Sequence, residues 1–256
     1  MSHSLPPEIV DLIIDHLHDE PTILKTCSVV SKSWVPRTRK YLFASVEFNA
    51  SVSLIKLWKK TFPDPSTSPA HHTRTLSIWG LRDVVAEAGT DGWIRTFHNV
   101  THLDLSLLPD QVSTAPFYGL APALKSLTLT QSPSEVLDIV GSFPVLEDLA
   151  LVALYTQSNA GGRNKPLTSP KLTGTLDLKT STNTRSVVRR LLDFPGSLHF
   201  SKINTLASDE DAKSVTDVLS SCSDTLESLT FLYDFQSAFY SITLAALCLT
   251  AACGHR

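Results

Sequence analysis

Leu124-Lys125-Ser126-Leu127-Thr128-Leu129, answered 22 residues later by Leu146-Glu147-Asp148-Leu149-Ala150-Leu151, is the stretch whose reading decides the fold. Apolar residues at alternate positions send one face of a short strand to a core and leave the polar positions on the opposite face. Leu226-Glu227-Ser228-Leu229-Thr230-Phe231 repeats the full frame. With its leading leucine relaxed, the frame also occurs at Leu76 and Ile78, Leu103 and Leu105, Leu176 and Leu178, and, most weakly, Ile203 with Thr205. The first members of the seven pairs stand 27, 24, 22, 27, 27 and 26 residues apart. Such a period marks units that each need a neighbour to bury their apolar face.

Segments between the frames carry helical spacing: Ser134 as a cap ahead of Val136, Leu137 and Val140; Val187, Val188, Leu191 and Leu192 with Arg185, Arg189 and Arg190 outward; Val215, Val218 and Leu219 behind Asp209-Glu210-Asp211. Gly141, Pro144, Pro195 and Gly196 are the turn breakers near their ends. Strand, turn, helix and return predict an α/β solenoid over 73–256, its right-handed crossovers laying the strands into one curved parallel sheet.

These units resemble leucine-rich repeats of the irregular kind. They depart from the regular kind because Ser132 and Leu154 stand where an Asn or Cys normally closes the strand-loop turn. Alternation along the strands sends a second set of residues away from the core, onto the face where a repeat stack holds a partner. That expected target-binding face comprises Ser77, Trp79, Asp104, Ser106, Thr128, Thr130, Asp177, Lys179, Asn204 and Thr230. Trp79 is either an aromatic anchor or a ring tucked under a neighbouring loop. Loop 155–171 is read as an exposed insertion; its Gly161-Gly162-Arg163-Asn164-Lys165 run lacks the Gly-Lys-Ser/Thr ending of a phosphate loop.

Ahead of the repeats lies Leu5-Pro6-Pro7-Glu8-Ile9, then Leu12, Ile13, Leu17, Leu24, Cys27-Ser28-Val29-Val30-Ser31-Lys32-Ser33-Trp34 and Leu42-Phe43. Pro6 and Pro7 suit a first helical turn, Glu8 favours the positive helix end, and Ile9, Leu12, Ile13 and Leu17 make one apolar stripe. Asp19 can cap a second helix carrying Leu24 and Cys27, and Ser31 or Ser33 can open a third with Arg37, Arg39 and Lys40 outside. Three such helices bury too little surface to stand alone. The order and spacing of these residues resemble the F-box in its fungal version, over about 40 of 256 residues. The resemblance implies a trihelical module that binds the Skp adaptor, and through it a cullin, in a ubiquitin ligase. It implies Leu5, Pro6, Glu8, Ile9, Leu12, Leu17, Leu24, Cys27 and Trp34 as adaptor-binding residues. The expected domains are the module at 1–48, a connecting helix and linker at 49–72, and the solenoid at 73–256. Within the connection, Ser53 to Phe62 is read as a helix with Leu54, Leu57 and Trp58 inside, and 63–72 as linker.

A non-enzymatic substrate adaptor, working with an unknown protein target and without cofactor or metal, is the expected function. Its alternative is a non-ligase scaffold whose first helices only cap the solenoid. His98 and His102 stand at i, i+4 but in a loop running into a strand, where they do not converge on a metal. No catalytic motif of the G-x-S-x-G or H-E-x-x-H kind is present. A net charge of -3 gives no basis for nucleic-acid binding. Four scattered cysteines and an opening without an apolar run point to a reducing cytoplasmic or nuclear setting. From Phe235 to Cys253 there is no charged residue; the run is read as a buried last repeat, an end lacking its capping repeat, or a membrane anchor.

Overall fold

The computed structural model describes residues 5–49, 52–80, 93–108, 115–120, 122–155, 170, 172–179, 184–193, 198–206, 212–235 and 238–245. The strand frame organises them. Nine strands lie in one open sheet in chain order: β1 (Ser45–Asn49), β2 (Thr75–Trp79), β3 (His102–Ser106), β4 (Ser126–Thr130), β5 (Asp148–Val152), β6 (Thr175–Lys179), β7 (Lys202–Leu206), β8 (Ser228–Phe235) and β9 (Ala238–Ala245). The first eight are parallel and β9 returns antiparallel on β8. This is an open α/β arrangement with helical connections on the core side.

Register follows the sequence frame residue for residue. Leu76, Leu103, Leu127, Leu149, Leu176, Ile203 and Leu229 are successive partners across the sheet and are 2% exposed or less. Thr205, the polar member of the weakest pair, is buried like its apolar counterparts, so that unit keeps phase. A slip of one residue would turn every buried leucine to solvent, and burial of one such side chain is worth roughly 1.5–3 kcal/mol.

Strands β2 to β5 leave the sheet by the same corner. Gly80, Leu107, Gln131 and Ala153, each one residue past its strand, have φ of 67°, 56°, 45° and 51°. Each also donates its N–H to the last residue of the next strand: to Ser106, Thr130, Val152 and Lys179 respectively, at 2.9–3.1 Å. Three of the four are not glycine, and a left-handed L-residue costs about 1–2 kcal/mol. The added ladder bond offsets part of that cost. Ser132, standing at the turn-closing position, does this with its hydroxyl: Oγ accepts from the Leu108 N–H at 3.2 Å and donates to the Thr130 carbonyl at 2.8 Å. Leu154, its equivalent in the next unit, is fully buried instead. Gly174 is required for another reason, since a Cβ there would overlap the Asp148 carboxylate. That carboxylate accepts the Thr175 N–H at 2.6 Å, pinning β6 beside β5.

Four expectations need correction. The sheet starts at Ser45, inside the block assigned to the helical module, because Val46 and Phe48 pair with Leu76 and Ile78 and join the main core. The expected linker is packed from Ser68 onward, where a 3-10 turn, Pro69–His72, buries Pro69 and Ala70. In helix α4 (Val52–Thr61) the inward residues are Ile55 and the half-buried Trp58, with Leu54 and Leu57 exposed. Trp58 selects that side by packing its ring on Phe48, Phe62 and Phe97 at 4.9–5.6 Å. The stretch Ser134–Ser142 is a 3-10 helix rather than an α-helix, and Pro133, not Ser134, stands at its N-cap position without a side-chain cap bond. Helices α5 (Thr184–Leu192) and α6 (Ala212–Ser221) stand where helical spacing placed them, with Val187, Val188, Leu191 and Val218 buried. Residues 156–169 of the expected insertion and 246–256 of the tail lie outside the described residues. The tail's first part forms β9, and no helix among the described residues is long and apolar enough to cross a membrane.

Candidate interaction surfaces

Three helices precede the sheet: α1 (Pro7–His16), α2 (Pro21–Val30) and α3 (Val35–Leu42), the last reached through a 3-10 turn, Lys32–Trp34. Proline occupies an early helical position in all three. Ser31 opens the turn by accepting the Ser33 N–H at 3.3 Å, whereas α2 starts behind Glu20 with no side-chain cap from Asp19. Their private core is small: Val10, Ile14 and Leu24, lined by Leu17, Trp34, Tyr41 and Leu42.

An ion pair braces it. Arg37 grips Asp15 with both Nε, at 2.6 Å, and Nη2, and Tyr41 donates its hydroxyl to the same carboxylate at 2.7 Å. Arg37, expected on the solvent side of α3, therefore ties α3 to α1. Its guanidinium, helped by the Tyr41 hydroxyl, lowers the Asp15 pKa to about 2. The unfolded value is near 3.8, so this contribution is complete above about pH 4 and disappears as pH falls through the folded value. Acid titration followed by far-ultraviolet circular dichroism is expected to show helix loss over that window, and Asp15→Asn should flatten the step. A wild-type helical signal that holds down to pH 2 would contradict this role for Asp15.

The adaptor-binding set divides in the structure. Leu5, Pro6, Glu8, Ile9 and Leu12 are exposed. Leu24 and Cys27 are buried within the module, and Leu17 and Trp34 are half-buried against its core. The inward face of α1 is Val10, Ile14 and Leu17, so the stripe read from sequence is for the most part the outward one. Leu12 is 64% exposed, and Ile9 and Ile13 lie beside it. On α2, Ile23 and Val30 stand two turns apart on one outward side, and Val29 is 81% exposed. Sequence reasoning did not select Ile23, Val29 or Val30 as surface residues, although the excess of apolar positions over what three short helices can bury was the available signal.

The second surface is the side of the sheet turned from the core. Its middle row runs Glu47, Ser77, Asp104, Thr128, Ala150, Asp177, Asn204 and Thr230 as successive register partners. The next row runs Asn49, Trp79, Ser106, Thr130, Val152 and Lys179. All ten residues expected on this face occupy these rows. Glu47 and Asn49 were missed because β1 was not counted in the sheet, and Ala150 and Val152 because they are apolar. Trp79 is 45% exposed rather than tucked away, while Ser106 is buried. Lys179 pairs with Asp177 at 3.0 Å. Burial pushes the Asp104 carboxyl above its ordinary range, and the nearby Glu47 charge pushes the same way.

Among the described residues no group of three or more His, Cys, Asp or Glu side chains is placed to hold a metal. His102 opens β3 and His98 lies in the turn before it. Comparison with protein-family models and with curated proteins finds no match for this chain.

Proposed function

We propose that the chain is an F-box protein, the substrate-recognition adaptor of a Skp-cullin-F-box ubiquitin ligase, whose module docks on the Skp adaptor and whose leucine-rich-repeat-like solenoid holds a target protein. What carries the proposal is the outward apolar set Leu5, Ile9, Leu12, Ile13, Ile23, Val29 and Val30 on a trihelical module that opens Leu-Pro-x-Glu-Ile. Burying such side chains against a partner is worth roughly 1.5–3 kcal/mol each. A helical cap that merely closed a repeat stack needs a polar outer side for solubility, so this surface speaks against the scaffold alternative. Leu17, Leu24, Cys27 and Trp34 serve the docking indirectly, by shaping the helices that present the outer residues.

The chain itself does no chemistry in this scheme. It raises the effective concentration of a target beside the conjugating machinery, which requires a rigid body between two binding ends. The continuous sheet is such a body, and a common core running from Val46 to Leu229 supports it.

Pull-down with the Skp adaptor tests the reading. Wild-type chain is expected to capture the adaptor, and Ile9→Ala/Leu12→Ala to lose at least about tenfold of that capture, with α1 intact because alanine favours helix. Failure of the wild type to bind overturns the ligase assignment and leaves the scaffold. Unchanged capture by the double variant overturns the docking surface instead.

A further inference from the structure

The outward side of the sheet is uneven in charge. Its middle strands, β4 and β5, present Thr128, Thr130, Ala150 and Val152 in the two rows described above. At the β1–β3 corner, Glu47, Ser77 and Asp104 form one rung, and Asn49, Trp79 and Ser106 the next. Adjacent strands lie about 4.8 Å apart, so the Glu47 and Asp104 side chains rise about 10 Å from each other on either side of the small Ser77. Trp79 stands one outward position further along β2, with nearly half of its surface open.

Among the described residues neither carboxylate has an ion-pair partner. Glu47 is exposed. Asp104 is half-buried, with only a long contact from the Ser106 hydroxyl at 3.5 Å. His102, two residues before Asp104 on β3, is engaged with the Thr101 hydroxyl at 2.9 Å. Lys179, the cation of these rows, is three strands away from β3 and held by Asp177. Burial and the repulsion from Glu47 both disfavour the Asp104 charge, and a cation placed between the two carboxylates offsets that charge.

We infer that this corner receives one lysine or arginine side chain of an extended target segment, its cationic head between Glu47 and Asp104 and its aliphatic stem across the Trp79 indole. The inference rests on the sheet being the target-holding side of the protein. Charge-assisted hydrogen bonds to carboxylates are about twice as strong as neutral ones, and the aliphatic stem of either residue packs on apolar surface such as an indole face. An acidic or phosphorylated side chain meets two like charges here and is rejected.

The experiment uses the full chain and extended peptides identical except for a central Arg, Lys, Gln or Glu, presented as an array and then titrated singly by the fluorescence anisotropy of a dye on the peptide. Arg and Lys peptides are expected to bind about tenfold more tightly than Gln, with Glu weakest and the preference fading as salt rises. Glu47→Gln/Asp104→Asn should abolish the preference without lowering the melting temperature. Trp79→Phe should keep part of the affinity, and Trp79→Ala should lose it. Equal binding of Arg, Lys and Gln peptides, or a preference that survives the double variant, overturns the site. Skp-adaptor capture measured on the same preparations separates the two ideas. Capture without basic selection removes this site alone; basic selection without capture removes the ligase assignment and leaves the site.

Discussion

Phe97→Ala is expected to lower unfolding stability by about 3–5 kcal/mol. Phe97 is fully buried and meets Phe48, Trp58 and Trp93 with ring centroids at 5.4–6.1 Å. Those four rings come from β1, α4 and the 3-10 turn Trp93–Phe97, so one truncation removes the common support of the first strand, its helix and the crossover into β3. Tilted and edge-on aromatic pairs add about 0.5–1.5 kcal/mol each beyond area burial, and the hole cannot close when three rigid rings surround it. Urea denaturation should show a lower midpoint at unchanged slope. A loss below about 1 kcal/mol would mean the surrounding rings collapse into the space, contrary to this account. Phe97→Leu, which keeps most of the volume, should cost markedly less.

The second large effect belongs to the module. Ile14→Ala removes a fully buried side chain from a core of three buried residues, and truncations of this type cost about 2–5 kcal/mol. The sheet has its own, far larger cluster, so the loss should remain local. Amide exchange is expected to accelerate through α1–α3 while β3–β6 keep wild-type protection. Adaptor capture should fall as well, although Ile14 itself is not on the surface. Parallel acceleration in the central strands would show that module and sheet unfold as one unit.

Much of the sheet was legible because a period of two, repeated at near-constant intervals, leaves one register in which all the leucines are buried. Ile203 with Thr205 could be placed by phase alone. Val46-Glu47-Phe48 alternate like a short strand, but that strand was left out of the sheet because it stands 30 residues before Leu76, outside the interval of the others. Periodicity failed on α1 for the opposite reason: Val10, Ile14 and Leu17 fit helical spacing as well as Ile9, Leu12 and Ile13 do, and only packing against α2 and α3 chooses between them. The Asp15–Arg37–Tyr41 brace spans 22 and 26 residues and leaves no local signal. The antiparallel turn-back of β9 was likewise hidden in a tail read only for its lack of charge. On the sheet's outward face polarity was used as the guide, and so Ala150 and Val152, whose position is as regular as that of their neighbours, were passed over.

From β1 to β7 every strand is five residues long, while the intervals between equivalent core positions range from 22 to 30 residues. The variation in length between strands therefore shifts no row of the register. An insertion between strands leaves the register of Glu47 and Asp104 as it is, and a change at an outward strand position alters a contact without disturbing the ladder beneath it. Such a surface can acquire a new ligand by substitution alone, one strand at a time, while the residues that make the chain fold stay as they are.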